Sequence, residues 1–378
     1  MKKVVIVTNI PNPYRVPLFN ELNRQMTAEG YSMTVIFAAE SYARRKFILD
    51  KSEMKFDYRF LNSSAIQLGD SEKTVFSYRG LQDELNKIKP NVVITPGFSP
   101  ATMSVAMWKV VHRCKQIIWS GSLTPESAGA SRLRRLQRKI LMKFTDATLA
   151  YGSLAKKYII SIGSPERRSF IAINTVDTEF FRSETEKLRS GPDNGDDKKH
   201  LTCIGYLSPR KKMIEVLKAV QKLSHKRNDF VLDIIGDGED RQMLEQKSWE
   251  WNIGDVVKFH GFRQKSELPA YFSKSSAFLF QTDFDIWGLV LNEAMAAGVP
   301  CIVSPNAGAS ADLVEEGKTG FVCNYGDTDS VVNRIEYLLD HPENARMIGR
   351  AASEFIRTQA SLEVSARGFL TAVKSVLK

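Results

Sequence analysis

The chain has 378 residues, 53 Lys and Arg against 43 Asp and Glu, and a formal net charge of +10 at pH 7. That length predicts two domains rather than one core, and 43% apolar with 25% charged residues reads as a soluble globular protein. No apolar run approaches the roughly 18 to 20 residues of a membrane-spanning helix, and the charge calls for an anionic partner, with nucleic acid, anionic lipid and a phosphorylated small molecule all open.

The opening "MKKVVIVTNIPNPYR" carries two lysines, but Val4 to Thr8 reads as a short strand and not as the apolar core of a signal peptide. A cytoplasmic location is therefore expected. A helix follows from about Val16 to Gly30, then the strand "SMTVIFAA". The runs "NVVITPG", "KQIIWSG", "DATLAYG" and "RSFIAIN" repeat one device, a short Val/Ile-rich segment closed by Gly, Asn or Pro. Strands alternating with helical patterns predict a parallel sheet covered on both faces.

From Ser183 to His200 the text turns polar and is punctuated by Gly and Pro, which predicts a linker. The alternation then restarts with "LTCIGYL", helix Met213 to His225, "FVLDIIGDG", helix Asp240 to Trp249 and "VVKFHGF". It continues with helix Lys265 to Ser273, "AFLFQT", helix Leu289 to Ala297, "CIVSP" and "TGFVC". Helices across Ser330 to Asp340, Pro342 to Ala360 and Leu362 to Leu377 close the chain. The predicted class is α/β, with two Rossmann-like doubly wound domains at 1–182 and 201–355 joined by the 183–200 linker. The C-terminal helix, 356–378, is expected to return to the N-terminal domain.

Cys114, Cys203, Cys301 and Cys323 form no CxxC pair, and the five histidines show neither HxxxH nor HxH spacing. Disulfides and a metal site of protein ligands are not expected.

In open α/β sheets ligands sit beyond the carboxyl ends of the strands, and three such edges carry suggestive residues. "IIGDGED" places a glycine pair after a strand, which serves equally as an ordinary turn. "IGYLSPRKK" sets Arg210, Lys211 and Lys212 before a helix, either as a solvated cluster or as a phosphate cradle. In "FDIWGLVLNEAMAAGVP", Asp285 lies in the turn after a strand, Gly288 opens a helix, and Glu293 lies inside it. Free N–H groups at Gly288 and Leu289 would face a phosphate or sugar oxygen. Asp285 reads as a capping acid or as a ligand. Glu293 reads as a surface position or, because Ala294, Ala296, Ala297 and Gly298 suggest close packing, as a carboxylate that needs outside donors such as two ribose hydroxyls.

The order of "GYLSPRK", "IIGDGED", "VVKFHGF", "DIWGLVLNEAMAAGVP" and "NAGASADLVEEGKTGFV" resembles the retaining GT-B glycosyltransferases of family 4 (group 1). "DATLAYGS" and "INTVDTEFF" extend the resemblance upstream more thinly. The resemblance implies two domains facing across a cleft and a sugar moved from a nucleoside diphosphate, UDP foremost, to a glycan or lipid-linked acceptor. A place in polysaccharide or lipopolysaccharide synthesis goes with it. It implies that Asp285 lies at the donor sugar, that Lys211 neutralises the diphosphate and that Glu293 holds the ribose. The backbone of Ile286, Trp287, Gly288 and Leu289 would bind sugar and phosphate oxygens, with Gly205 beside them, and main chain near Phe262 and Arg263 would meet the base. Departures are Asp285 for the family's Glu, Trp287 for its Phe, Asp312 for a later Glu and Tyr206 for an Arg, for which Arg210 is the substitute. "IIWSGS" offers no catalytic His. The implied chemistry needs no cofactor or metal beyond the nucleotide sugar.

The first domain is expected to bind the acceptor. Asn12, Tyr14 and Arg15 follow its first strand, Arg15 being the stronger functional candidate. Ser131 to Phe144 is a basic amphipathic helix whose stripe of Leu133, Leu136, Ile140, Leu141 and Phe144 serves either as core or beside cations docked on anionic lipid. A peripheral membrane position is the second reading of location. Competing functions are a nucleotide-sugar epimerase or hydrolase and a nucleic-acid binder, the latter disfavoured by the absence of any recognised module.

Overall fold

The computed structural model describes residues 1–41, 49–61, 65–67, 74–123, 132–191 and 198–377. It divides into two compact units, Met1–Val176 with Leu362–Lys378, and Asp177–Ser361.

The first unit contains β1 (Lys2–Thr8), α1 (Val16–Ala28), β2 (Tyr31–Phe37), β3 (Asp57–Phe60) and a small antiparallel pair, β4 (Ala65–Gln67) and β5 (Thr74–Phe76). It continues through α2 (Leu81–Ile88), β6 (Val92–Pro96), α3 (Pro100–Trp108), β7 (Lys115–Ser120), α4 (Arg132–Phe144), β8 (Ala147–Ala150), α5 (Ser153–Ser161) and β9 (Ser169–Ile171). Seven parallel strands lie in the order β3-β2-β1-β6-β7-β8-β9, so the winding reverses between β1 and β6. Val4 to Val7 are buried on both faces, which is why β1 reads as an unbroken apolar run.

The second unit opens with α6 (Thr178–Arg189) and continues with β10 (Lys199–Ile204), α7 (Met213–Ser224), β11 (Phe230–Ile235), α8 (Arg241–Glu250), β12 (Val257–Gly261), α9 (Leu268–Lys274) and β13 (Ser275–Phe280). It closes with α10 (Leu289–Ala296), β14 (Cys301–Val303), α11 (Ser310–Leu313), β15 (Phe321–Val322), α12 (Thr328–Asp340) and α13 (Pro342–Gln359). Its six parallel strands run β12-β11-β10-β13-β14-β15, reversing between β10 and β13. The final helix α14 (Leu362–Leu377) packs on α1, β7, β8 and β9 of the first unit.

Two expected boundaries shift. Residues 183–189 of the expected linker are helical, because Arg182 pairs with Glu179 and Glu186 and Lys187 with Glu184 at i,i+3 and i,i+4 spacing. The second unit starts at Asp177, whose side chain caps α6 by accepting from Phe180 N. Residues 192–197 of that linker lie outside the described residues. At the other end α13 stays with the second unit, so the returning segment begins at Leu362 rather than at 356.

One polar device inside the second sheet escapes any local pattern. Asp233 on β11 accepts from His200 Nδ1 on β10 at 2.5 Å and from His260 Nε2 on β12 at 2.6 Å. Burial alone would raise its pKa, but the two imidazole hydrogen bonds outweigh that and hold the carboxyl at about 2. A depressed carboxyl stabilises the fold above its unfolded value of 3.8, and that stability is lost as pH falls toward about 2. Asp233→Asn is therefore expected to cost about 2 kcal/mol at pH 7, a melting shift of roughly 5 °C. A thermal melt checks this, and the deficit should shrink below pH 3.

Candidate functional site

The switch between β10 and β13 of the second unit is where a parallel sheet leaves room for a ligand beyond its strand ends. Four turns meet there. Leu207 N donates to Asp237 O at 3.0 Å, and Asp240 N returns to Leu207 O at 3.1 Å. Asp283 N donates to Arg210 O at 2.9 Å, and Gly308 N to Asp285 O at 2.9 Å. The basic turn after β10, the glycine turn after β11, the acidic turn after β13 and the turn after β14 thus form one rim. Gly236 and Gly238 are glycines for packing: a Cβ there would fall 1.8 Å from Gly205 O and 2.1 Å from Leu207 O. Of the two roles open to "IIGDGED", the structural one is satisfied without any ligand.

On that rim Asp285 and the cations stand together. Lys211 Nζ lies 2.6 Å from Asp285 Oδ2, Arg210 Nη1 lies 3.7 Å from the same oxygen, and Trp287 N donates to Oδ1 at 3.2 Å. Burial raises the Asp285 pKa, but the Lys211 charge and these hydrogen bonds leave it below the usual carboxylate range. Asp285 is thus both the turn-capping acid and a partner of Lys211. Arg210 is anchored through Nη1 to Phe284 O at 2.5 Å, and Lys211 lies 4.8 Å over the Phe280 ring. Lys212 is turned away to Asp283 at 2.7 Å, with φ 40° at the head of α7.

Gly288 has φ 94°, and a Cβ there would lie 2.4 Å from the Phe280 ring, so only glycine starts α10 in this place. The N–H groups of Gly288 and Leu289 make no hydrogen bond among the described residues, leaving two donors and the positive end of α10 aimed outward. Trp287 departs from expectation. Its ring is 3% exposed and donates to Asn292 Oδ1 at 2.9 Å, and its backbone N–H is already taken by Asp285. It holds the turn rather than offering a donor.

Glu293 lies on the second turn of α10 among buried Leu291, Asn292, Ala294 and Met295. Its carboxylate has neither a hydrogen bond nor an ion pair among the described residues. Desolvation pushes its pKa up to about 8, and the charge of Lys265 opposes this only in part. Lys265 is held by Asp177 at 3.3 Å and lies 4.4 Å over the Phe180 ring. A sheltered acid without donors is a group built for a partner that brings them. Gly205 faces open space, with nothing within 4 Å of an added Cβ. Phe262 and Ile286 are exposed beside the rim, while Arg263 reaches Glu267 at 3.2 Å. Asp312 sits in α11, whose preceding turn braces Asp285 through Asn306 O, the acceptor for Asp285 N at 3.1 Å. The bracing by Asn306 and Gly308 and the charge of Lys265 were not singled out from the sequence. The glycine in "NAGAS" was the one available signal.

In the first unit, Arg15 follows β1 and is enclosed by aromatic rings. It is 6% exposed, its guanidinium 4.3 Å over the Trp119 ring and 5.2 Å from both Tyr14 and Tyr151. The three rings make cation–π contacts with it, and its buried Nη1 has no hydrogen-bond partner among the described residues. Asn12 builds the turn before α1, its carbonyl accepting Arg15 N at 2.8 Å. Tyr14 is half-buried beside it. The apolar stripe of α4 is not core: Leu133 is 75%, Leu136 55%, Ile140 46% and Phe144 47% exposed, and Leu141 alone of the five is buried. With Met103, Met107 and Val110 they line a shallow cavity of about 360 Å³. Ser131 lies outside the described residues.

Two Rossmann-like units with a cation-lined rim at a sheet switch point define a GT-B fold, and solved glycosyltransferases share it. The lipopolysaccharide outer core galactosyltransferase WaaB, in its apo form, superposes with a TM-score of 0.71 at 16% identity, covering 99% of each chain. HepE of Anabaena in complex with UDP gives 0.76 at 16% identity, covering 99% of this chain and 100% of that one. Residues 184–355, nearly all of the second unit, match the family Glycosyl transferases group 1. Sulfoquinovosyl transferase SQD2 of Arabidopsis thaliana is 32% identical over 224 residues, 57% of this chain and 42% of its own length. A GDP-mannose-dependent phosphatidylinositol monomannoside mannosyltransferase of Mycobacterium tuberculosis is 25% identical over 305 residues, 71% of this chain and 78% of that protein.

Proposed function

We propose that the chain is a retaining glycosyltransferase that moves a sugar from a nucleoside diphosphate sugar, UDP foremost, to a glycan or lipid-linked acceptor of cell-surface polysaccharide or lipopolysaccharide synthesis. The observation that carries this reading is Glu293, a desolvated carboxylate without protein donors on the helix whose free N–H groups open the rim. Ribose hydroxyls donate to Glu293, the diphosphate lies against Gly288 N, Leu289 N, Lys211 and Arg210, and the donor sugar meets Asp285. Main chain at Gly205 and beside Phe262 and Arg263 completes the nucleotide pocket. The UDP complex of HepE, a protein of the same fold, supports the nucleotide class.

Chemically, the bond from the anomeric carbon to the diphosphate oxygen breaks as Lys211, Arg210 and the helix N–H groups take up the growing charge. The acceptor oxygen bonds to the anomeric carbon on the same face and passes its proton to a leaving phosphate oxygen. No side-chain base and no metal enters this scheme. Purified protein given UDP-, GDP- and ADP-sugars should release one nucleoside diphosphate in step with transfer to a lipid-linked glycan. Equal release without any acceptor would favour a hydrolase or epimerase.

The exposed face of α3 and α4 supports a peripheral position at the cytoplasmic face of a membrane. The helix α4 that lines its apolar cavity also carries exposed Arg134, Arg135, Lys139 and Lys143, which match an anionic bilayer at about 1 kcal/mol each. No helix among the described residues is long and apolar enough to cross a membrane. Leu133→Ser with Ile140→Ser should lower cosedimentation with phosphatidylglycerol vesicles about tenfold while leaving the melting temperature in place. Unchanged cosedimentation would count against this position.

A further inference from the structure

A second, larger cavity lies in the second unit at the opposite edge of its sheet. It measures about 760 Å³ and is bordered by Lys199 and Ser275, the first residues of β10 and β13, and by Pro300 before β14. Both strands are six residues long, so about 20 Å separate this edge from the donor rim. The lining is strongly cationic. Arg182, Lys199, Arg346 and Arg357 reach it already paired with Glu179, Asp229, Glu343 and Glu354. Arg189, Lys274 and Arg350 also line it, and none of the three forms an ion pair among the described residues. Arg189 gives its Nε and Nη2 to the Ser273 and Phe272 carbonyls at 3.3 and 3.1 Å, which fixes the guanidinium on the wall without neutralising it. The N-terminus of α13 opens on the same rim at Pro342 with no side-chain cap, adding the positive end of an eighteen-residue helix.

Glu186 on the same wall acts on Arg189, but Lys274 and Arg350 leave a surplus of positive charge that an anion in the cavity would offset. We propose that this cavity binds a small molecule carrying several phosphoryl groups, at a site separate from the nucleotide-sugar rim. The volume is in the range of sites for compact metabolites, and Arg350 and Lys274 are exposed and able to close on phosphoryl oxygens. The same α10 whose first residue opens the donor rim ends at this cavity with Ala296 and Ala297, so one rigid element touches both ligands.

Calorimetry with inorganic tripolyphosphate tests the site on the full chain. Because a polyphosphate can also enter the diphosphate rim, wild type is compared with Lys211→Ala and with a Lys274→Ala/Arg350→Ala double variant. A Lys156→Ala/Lys157→Ala variant removes the same charge from the first unit. Tripolyphosphate should bind Lys211→Ala nearly as tightly as wild type, and the Lys274→Ala/Arg350→Ala variant at least about tenfold more weakly. The Lys156→Ala/Lys157→Ala variant should match wild type. Unaltered melting and nucleotide binding in the double variant would exclude misfolding. The proposal is overturned if wild type binds no tripolyphosphate, if binding disappears with Lys211 alone, or if both double variants lose it equally.

Discussion

Replacing Glu293 by Gln should stabilise the free protein and damage its ligand binding at the same time. The carboxyl rises from 4.5 to about 8 on folding. For an acid whose folded pKa is raised, stability is unaffected below pH 4.5, falls as the unfolded chain ionises first, and levels off above about pH 8. Glutamine has no proton to lose, so at pH 8.5 the variant should be more stable by on the order of 2–4 kcal/mol, and at pH 4 by almost nothing. The nucleotide loses a charged acceptor for two hydroxyls, weakening binding by about 10- to 100-fold. In wild type, nucleotide affinity should climb with pH up to about 8, because the hydroxyls prefer the ionised form. Thermal melts from pH 4 to 9, with and without nucleotide, read both effects. A variant no more stable than wild type at pH 8.5, with unchanged affinity, would remove Glu293 from the site. Function here is set against stability in one side chain.

Lys211→Ala should strike turnover harder than binding. In the free protein this ammonium is shared with Asp285 at 2.6 Å, and a departing diphosphate is the second anion it serves. Charge that grows in the transition state makes the loss fall on kcat, by about 10²- to 10³-fold, with a smaller change in KM. Asp285 would also lose the partner that lowers its pKa, so the variant's pH profile should move upward on its acid limb. Steady-state kinetics across pH separates this from simple misfolding. A rise in KM with kcat intact would place Lys211 in binding alone.

Much of this protein is legible because its signals are local. The strands of both sheets announce themselves as short Val/Ile runs with Gly or Asn at the end. Asp285, Gly288 and Glu293 fall within nine residues of each other across a single turn and helix start. Their roles follow from where a helix leaves its N–H groups free. What sequence order hides is whatever distant elements assemble. That Trp119 of β7 and Tyr151 after β8 close around Arg15 is invisible in the order of residues. Asp233 looks like an ordinary strand residue until neighbouring strands bring His200 and His260 to it. The C-terminal half of α6 hid for another reason: a helix stabilised by surface ion pairs has the composition of a linker. On α4 the pattern showed an apolar stripe, and only packing revealed that its Leu133, Leu136 and Ile140 face outward.

The central claim is that Glu293 holds the ribose of the donor nucleotide. The most direct measurement is a cycle of four affinities, wild type and Glu293→Ala with UDP and with 2′,3′-dideoxy-UDP, or the GDP pair if GDP is the nucleotide that binds. Wild type should prefer the ribonucleotide by about tenfold or more. Glu293→Ala should show almost no preference. Equal preference in both proteins would contradict the account.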